Sequence, residues 1–560
     1  MDSSRLHLTA PLESPQFTRL AAAGLTLVAL LGGAAPGHGE HRVRAVSEDF
    51  LPTGSPSSTY SSQTSPDGRW IVFVACESAD ACYLASSRRF AAPAEAPVEL
   101  DGPVHGESFF GSGIDFEITG DSRRVVYDAS DIPDAENDLW SVAIDGSSAP
   151  VRLNSPLQTD ESIDDYLITA DGQQVVYQLQ RPGPDRLLRV AIGGGSVTTL
   201  DEGDSIRAYL FPQASGNPRL LYFIDTDDNN QLEILTTYLS SPLPFALWGG
   251  QLRAGIFISS VEFTPDGGQV VLVADQQVDD RDELWSIRTD SANTLHKLNP
   301  SLVSGGDVLS YDLSSDGRAV FSADAEVDES FELWSAPIDA SAAAVKISGT
   351  LVSEGDVRNF RVSGEWAAYI ADATVNDRDE LWSAPADGHE APTRRSDTVP
   401  SGRDVFAFRF TPSGTRLVYR ANLESVARMD LYTTSTFGIT SHVQLTNRNQ
   451  FSLTPYSVRS YVVAPDSQRV AFIVEPDANW DGVAMEQTLS NPQTNPEVLL
   501  EVTGADATEL SVAYLPDAQG LLSDVRLQDG DRREVYLIDS AIFVDGFASG
   551  DRTAWSASVP

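Results

Sequence analysis

The strongest constraint on the fold of this chain is a pattern that repeats about every fifty residues. Three consecutive copies are TPDGGQVVLVADQQVDDRDELWSIRTD from Thr264, SSDGRAVFSADAEVDESFELWSAPID from Ser314 and SGEWAAYIADATVNDRDELWSAPADG from Ser363. Ten units are marked by one turn position each, at Asp67, Asp121, Asp171, Gly216, Asp266, Asp316, Gly364, Ser413, Asp466 and Asp517. Even spacing of this kind predicts a chain of similar supersecondary units rather than several unrelated domains.

Each unit predicts four short strands. A PDG-type turn leads into a run such as QVVLVA, which is rich in β-branched residues. An ELWS-like segment follows, in which Leu and Trp alternate with polar residues, and a second turn, often DG, precedes a final strand such as AVKIS. Trp140, Trp285, Trp334 and Trp382 recur at one position of the unit, which favours packing between units.

Repeated four-stranded antiparallel units with no helical pattern between them predict an all-β fold. We expect a β-propeller of about ten four-stranded antiparallel blades, closed as one large ring or, alternatively, as two tandem rings.

The N-terminal 39 residues have the pattern of a secretory signal. Arg19 precedes an apolar run from Leu20 to Leu31, and small residues follow it. The run is too short to cross a hydrocarbon layer of about 30 Å, so we expect no transmembrane anchor after signal cleavage. We assign residues 1–39 to the signal, 40–57 to a linker, 58–547 to the propeller and 548–560 to a C-terminal tail. The predicted location is periplasmic or secreted.

The charge of the chain restricts its partners. With 38 basic and 81 acidic residues the formal net charge is −43, which disfavours nucleic acid and anionic membranes. Much of the acid lies in the longer loops of the repeats and predicts one strongly negative face. That face would contact cations, a basic protein segment or a glycan; the alternative is a solvated rim that only resists aggregation.

The repeat resembles a known family. The turn and strand S-P-D-G-x-x-[VI]-x-[FY], followed by E-L-W-S and D-G, is similar to the TolB-like propeller repeat, which is related to WD-type blades. The resemblance extends over residues 58–545 and is specific for the type of blade. TolB itself is a periplasmic protein that engages partners of the Tol–Pal envelope system, so the resemblance implies a partner in the cell envelope or exterior.

Three aspartates are candidate ligand-binding residues at the mouth of the central channel. Asp307, Asp356 and Asp404 each stand four residues before the aromatic residue of a first strand, which is the innermost strand in propellers. The alternative is that each carboxylate accepts backbone N–H groups at a strand start. Phe257 occupies the matching position one unit earlier.

Two loops contain the spacing of an oxygen-rich cation site. Asp477, Asn479 and Asp481 are followed by Gly482, and a looser version contains Asp225, Asp227 and Asn229. Alternate side-chain oxygens can converge on calcium, while polar turns without metal are the alternative. No other cofactor is predicted.

The only cysteines, Cys76 and Cys82, flank a predicted hairpin loop. We predict a disulfide between them in an oxidising compartment; metal binding or two free buried thiols are the alternatives.

Catalytic patterns are weak in this sequence. It lacks the G-x-S-x-G nucleophile pattern, and His296 and His442 fall on predicted outermost strands, away from the channel. These observations favour a non-catalytic binding or scaffold module. The alternative is a carbohydrate-active hydrolase or lyase that uses carboxylates at the central channel.

Overall fold

The computed structural model contains forty strands and no helix among the residues it describes. Those residues are 17–18, 41–45, 58–78, 81–89, 97–100, 115–129, 136–210, 218–227, 231–247, 252–253, 256–290, 295–439, 442–446, 456–475, 482–489, 497–502, 507–516, 520–527 and 533–540. None of the described segments is a helix that could span a membrane.

The strands form ten successive antiparallel units, which we call sheets 1 to 10. Sheet 1 contains Phe17–Thr18, Ser58–Thr64, Trp70–Ser78, Ala81–Arg88 and Val98–Glu99, and sheet 2 contains Phe116–Ile118, Arg124–Ala129, Asp138–Ala143 and Val151–Arg152. Sheet 3 contains Ser162–Ile168, Gln174–Gln180, Asp185–Ala191 and Thr198–Leu210. Sheet 4 adds Arg219–Asp225, Glu233–Tyr238 and Ser241–Ala246. Sheet 5 contains Ile258–Phe263, Gln269–Ala274, Glu283–Arg288 and His296–Lys297. Sheet 6 contains Val308–Leu313, Arg318–Ala323, Glu332–Pro337 and Val345–Lys346. Sheet 7 contains Val357–Ser363, Trp366–Ala371, Glu380–Pro385 and Thr393–Arg394. Sheet 8 contains Val405–Phe410, Arg416–Ser425, Arg428–Ser435 and Val443–Gln444. Sheet 9 contains Ser457–Val463, Arg469–Glu475, Gly482–Thr488 and Glu497–Val502. Sheet 10 contains Ala507–Tyr514, Gly520–Leu527, Arg533–Ser540 and His41–Ala45.

Sheets 3 and 4 are joined by one long strand. Residues 198–203 pair with the third strand of sheet 3, and residues 204–210 pair with Arg219–Asp225 of sheet 4. The register shifts between Asp204 and Arg207, where the strand moves from one unit to the next. The same strand therefore serves as the outer strand of sheet 3 and the first strand of sheet 4.

The two ends of the strand array meet in sheet 10. His41–Ala45 pairs antiparallel with Arg533–Ser540, and the first long strand of sheet 1 contacts that same strand. The ten units therefore close as one ring, and the two-ring alternative is not what the structure contains. Residues 41–45, which the sequence assigns to the linker 40–57, form the strand that completes the last sheet.

The predicted turns connect the first and second strands. In sheet 2 the hydroxyl of Thr119 donates to Asp121 Oδ1 at 2.6 Å, and the N–H of Arg124 donates to that hydroxyl at 3.0 Å. The equivalent Thr169–Asp171 and Thr264–Asp266 pairs are also 2.6 Å apart. A residue with positive φ follows, such as Gly172 at 66°, and glycine reaches that conformation without a side-chain clash. The S/T-x-D-G pattern thus encodes the turn.

The second strands are mostly apolar because neighbouring sheets cover both faces of each sheet. Residues 270–274 are all buried, and the aromatic of the [FY] position is fully enclosed in most units, as for Tyr127, Phe321 and Tyr369. The described apolar clusters each join one sheet to the next, from sheets 1 and 2 through sheets 8 and 9. The core is thus a series of layers between sheets.

Polar contacts of the ELWS segments add to this packing. Ser286 and Ser383 donate to the carbonyls of Ile338 and Thr436 in the following sheets, at 2.6 and 2.7 Å. Trp285 and Trp334 are nearly buried and pack against the preceding sheet. The recurrent tryptophans therefore pack between units, as predicted.

Candidate functional site

The acidic loops of sheets 5, 6 and 7 form one side of the ring, which we call the loop face. It comprises loops 275–282, 324–331 and 372–379, which join second and third strands, and the segments around residues 257, 307, 356 and 404, which connect successive sheets. The three loops share the pattern D-x-x-V-[DN]-[DE].

The first aspartate of each loop is buried and organises the backbone around it. Asp372 Oδ1 accepts the N–H of Asp356 at 2.6 Å, and Asp372 Oδ2 accepts the N–H of Asp377 at 3.0 Å. Asp324 accepts the N–H groups of Asp307 and Glu329 at 2.5 and 3.0 Å in the same way. Hydrogen bonds to an ionised acceptor are worth about 1.5–3 kcal/mol each, so these carboxylates hold the loops in place.

The loop tips adopt a left-handed conformation at equivalent positions. Asp280, Glu329 and Asp377 have φ values of 57°, 62° and 57°. Asp377 and Glu329 each donate their N–H to the buried aspartate five residues earlier, which offsets the cost of this conformation. The loops are therefore defined in shape before any partner arrives.

The three candidate aspartates of the inter-sheet segments make backbone hydrogen bonds. Oδ1 of Asp307 accepts the N–H of Asp282 at 2.7 Å, and the same atom of Asp356 accepts the N–H of Phe331 at 2.9 Å. Asp404 accepts the N–H of Asp379 at 3.0 Å. Each thus ties its segment to the loop of the preceding sheet, the role that the sequence offered as the alternative to ligand binding.

These aspartates are half-buried and do not gather around one point. Across the described residues, no group of three or more His, Cys, Asp or Glu side chains is placed to hold a metal ion. A role of Asp307, Asp356 and Asp404 in ligand binding stays a prediction.

Exposed apolar side chains accompany the acid on the loop face. Loop valines at Val278, Val327 and Val375 have exposed fractions of 44%, 62% and 46%. Phe257, which precedes the first strand of sheet 5, is also exposed, as are Leu309 and Phe406 near the start of the first strands of sheets 6 and 8. Asp279, Asp280, Asp328, Glu329 and Asp377 are exposed beside the valines. Scattered exposed valines are ordinary, but recurrence at one position of rigid loops produces a patterned acidic and apolar surface.

Both lysines of the chain form ion pairs with glutamates at the start of third strands. Lys297 Nζ lies 2.5 Å from Glu283 Oε1, and Lys346 Nζ lies 2.5 Å from Glu332 Oε1. Arg394 and Glu380 form the equivalent ion pair in sheet 7 at 3.0 Å. These cations pair with the glutamate that begins each ELWS strand, and Lys346 also reaches the exposed Glu326 of loop 324–331 at 2.7 Å.

The first strands of successive sheets line the channel, and their charges separate by position. The first strands of sheets 2, 3, 5 and 6 carry acidic side chains, interrupted by Arg207 on sheet 4, whereas those of sheets 7, 8 and 9 carry basic ones. The acidic residues are Glu117, Asp165, Glu262 and Asp312, and the basic residues are Arg361, Arg409 and Arg459. Burial and then the charges of Asp115 and Asp165 raise the pKa of Glu117. Burial and then the charge of Asp312 raise the pKa of Glu262. We call Glu117, Asp165, Glu262 and Asp312 the acidic arc of the channel wall, and Arg361, Arg409 and Arg459 its basic arc.

The calcium predictions fall largely outside the described residues. Asp477, Asn479, Asp481 and Asn229 all lie outside them, so their arrangement is not described. In the looser loop Asp225 is buried, and the N–H of Asp227 donates to its Oδ1 at 3.3 Å. Calcium binding stays a prediction.

The two cysteines lie opposite each other in the hairpin of sheet 1. Cys76 and Cys82 are register partners on adjacent strands, and Cys82 is disulfide-bonded.

Sequence reasoning did not identify the basic arc or the exposed valines. The arginines were visible as RNFRV, AFRF and SVRS in the first strands, at positions that a propeller directs to the channel. Their proximity depends on the ring, because about fifty residues separate one first strand from the next.

Comparisons with known proteins identify no family for this chain. No family model matches the chain, and no curated protein matches it. Among solved structures, a chain from a structural and mechanistic study of two prolyl endopeptidases is similar, with a TM-score of 0.34 and 14% sequence identity. The match covers 65% of this chain and 54% of that one, so this chain spans about half of that relative's length.

Proposed function

We propose that this β-propeller is a non-catalytic binding module whose loop face takes a basic, partly apolar polypeptide segment. The observation that carries the proposal is the repeated presentation of an exposed valine beside exposed carboxylates on loops 275–282, 324–331 and 372–379. Carboxylates attract and orient a cationic partner, and the valines offer apolar area for it to cover.

The rigidity of the loops supports this function. Because Asp275, Asp324 and Asp372 are buried and accept N–H groups of their own loops, the partner need not order the loops on binding. Covering a half-exposed valine contributes roughly 1 kcal/mol, so three of them account for about a hundredfold in affinity.

The test uses two synthetic peptides, one alternating Arg with Leu and one alternating Glu with Leu. We expect saturable binding of the Arg peptide that weakens with salt, and no binding of the Glu peptide. Serine substitution of Val278, Val327 and Val375 together should reduce affinity at least about tenfold. Fluorescence anisotropy of labelled peptides measures both effects.

Two control variants separate the loop face from general acidity. Val345→Ser removes an exposed valine from an outermost strand, and Glu365→Gln with Glu390→Gln removes exposed carboxylates from turns at the opposite side. Both should bind like the unaltered protein. Equal binding by the triple valine variant, or turnover of a polysaccharide by the purified protein, would contradict the proposal.

We also propose that the protein is exported and that its partner belongs to the cell envelope or exterior. The signal-like N-terminal sequence and the TolB-like repeat support this location. Cell fractionation with N-terminal sequencing tests it: mature protein outside the cytoplasm, beginning near residue 40, is the expected result. Full-length protein confined to the cytoplasm would contradict it.

A further inference from the structure

The basic arc of the channel wall borders a cleft of about 630 Å³ between sheets 7, 8 and 9. Four arginines line it: Arg361, Arg409, Arg420 and Arg459. No aspartate or glutamate is among the described residues that line the cleft. In a chain of net charge −43 this is an unusual concentration of positive charge.

Three of these guanidinium groups have no carboxylate at ion-pair distance within the described residues. Arg361 donates to the carbonyl of Phe360 at 2.9 Å. Arg409 lies over the ring of Tyr461, with 5.9 Å between its Cζ and the ring centre. Arg420 donates to the carbonyl of Arg459. By contrast, Arg358, Arg394 and Arg428 elsewhere in sheets 7 and 8 are all paired with carboxylates.

The side chain of Arg420 has a hydrogen-bond donor that no acceptor of the described residues satisfies. Its Nε is buried and has no hydrogen-bond partner. Burial lowers the pKa of its guanidinium, as expected for a cation whose desolvation is not balanced by a nearby carboxylate. An unsatisfied buried donor costs about 1–3 kcal/mol, so an acceptor entering the cleft would be favoured.

We propose that this cleft binds a small organic or inorganic ligand that carries at least two oxyanion groups, carboxylate or phosphate. The planar guanidinium matches both groups through two parallel N–H bonds, and arginines on three adjacent strands can engage separate groups of one ligand. Asn359, Ser363 and Ser460 add neutral hydrogen-bonding side chains to the same wall.

The negative charge of the whole chain does not prevent such binding. At physiological salt the Debye length is about 8 Å, so carboxylates farther away than this are largely screened from the cleft. Asp312, which accepts the N–H of Val362 at 2.8 Å, is a carboxylate that lies close to it. This site is separate from the loop face, and its partner chemistry has the opposite charge, so the two proposals stand or fall independently.

The test is isothermal titration of the whole protein with citrate and with inorganic pyrophosphate, using trehalose as an uncharged control. We expect 1:1 binding of at least one anion and none of trehalose; the stronger of the two anions identifies carboxylate or phosphate as the preferred group. The double substitution Arg361→Gln with Arg409→Gln should weaken binding by at least about tenfold. Both side chains are exposed to the channel, so the fold should be retained, as thermal unfolding without anion will check.

Two further variants make the result specific. Arg409→Lys keeps the charge but loses the planar fork, and binding should fall between that of the unaltered protein and that of the double variant. Arg288→Gln removes an exposed arginine that pairs with Asp290, and binding should not change. The proposal is overturned if neither anion saturates the protein below about 10 mM, or if the double variant binds as tightly as the unaltered protein.

Discussion

The side chain of Asp372 connects two segments of the loop face, since its Oδ1 accepts the N–H of Asp356 at 2.6 Å and its Oδ2 accepts the N–H of Asp377 at 3.0 Å. In sheet 8 the equivalent residue is Asn422, whose Oδ1 accepts the N–H of Asp404 at 2.7 Å. The amide of Asn422 offers a single acceptor atom, whereas the two bonds at Asp372 go to two different oxygen atoms.

This relationship predicts graded effects of substitution at Asp372. Asp372→Ala leaves two N–H groups without an acceptor and should destabilise the protein by about 2 kcal/mol, whereas Asp372→Asn should cost about half as much. Hydrogen exchange should show lost protection at the Asp356 and Asp377 amides in the alanine variant, and at Asp377 alone in the asparagine variant. Unchanged protection in both variants would contradict this role.

Closure of the ring by residues 41–45 predicts a matched pair of truncations. A chain that begins at residue 46 leaves Arg533–Ser540 with an unpaired backbone edge, so it should melt at lower temperature and associate through that edge. A chain that begins at residue 41 keeps the strand and should remain monodisperse by light scattering. Equal melting temperatures of the two chains would argue against closure by this strand.

The carboxyl of Asp128 predicts a pH dependence of stability. Burial raises the pKa of Asp128 in the folded protein, the hydrogen bond from Asn137 lowers it in part, and the charge of Asp115 raises it further. The Oδ1 atom of Asp128 is buried and has no hydrogen-bond partner among the described residues. A raised folded-state pKa means that the folded protein binds the proton more tightly than the unfolded chain. The stabilisation from this proton is complete below the unfolded pKa and is lost as pH rises through the folded value.

Asp128→Asn removes the charge and keeps an oxygen that can accept the bond from Asn137. The variant should therefore gain stability relative to the unaltered protein, and the gain should be larger near pH 7.5 than near pH 4. Urea unfolding at the two pH values measures this difference. A gain that is independent of pH would show that the charge of Asp128 is not its cause.

The disulfide of Cys82 predicts a modest, reductant-sensitive contribution to stability. The closed loop is short, so the chain-entropy contribution of the cross-link is about 2 kcal/mol. Mass spectrometry after alkylation should find no modified cysteine until reductant is added, and reduction should lower the melting temperature. Alkylation of both cysteines without reductant would show that the protein lacks the bond.

Much of the architecture was predictable from the sequence because the turn and strand signals of each unit lie within that unit. The S/T-x-D-G turn, the mostly apolar second strand and the ELWS segment specify three strands and their pairing through local chemistry alone. The repetition of these signals then implies a ring, since a small sheet with two apolar faces needs neighbours on both sides.

The candidate site was less predictable because its relationships join distant parts of the chain. The acid of the loops was evident, but not that Asp275, Asp324 and Asp372 would be buried supports while their neighbours stay exposed. Asp307, Asp356 and Asp404 could equally have faced the channel or the backbone, and only the packing of consecutive sheets brought them to the N–H groups of Asp282, Phe331 and Asp379.

The sequence by itself therefore determined the repeating unit, because turn geometry and strand propensity act over a few residues. Tertiary structure decided that ten units close into a single ring through His41–Ala45, and that Arg361, Arg409 and Arg459 share one wall. Those outcomes depend on the angle between successive sheets, which arises from side-chain packing summed around the ring and is not encoded in any one unit.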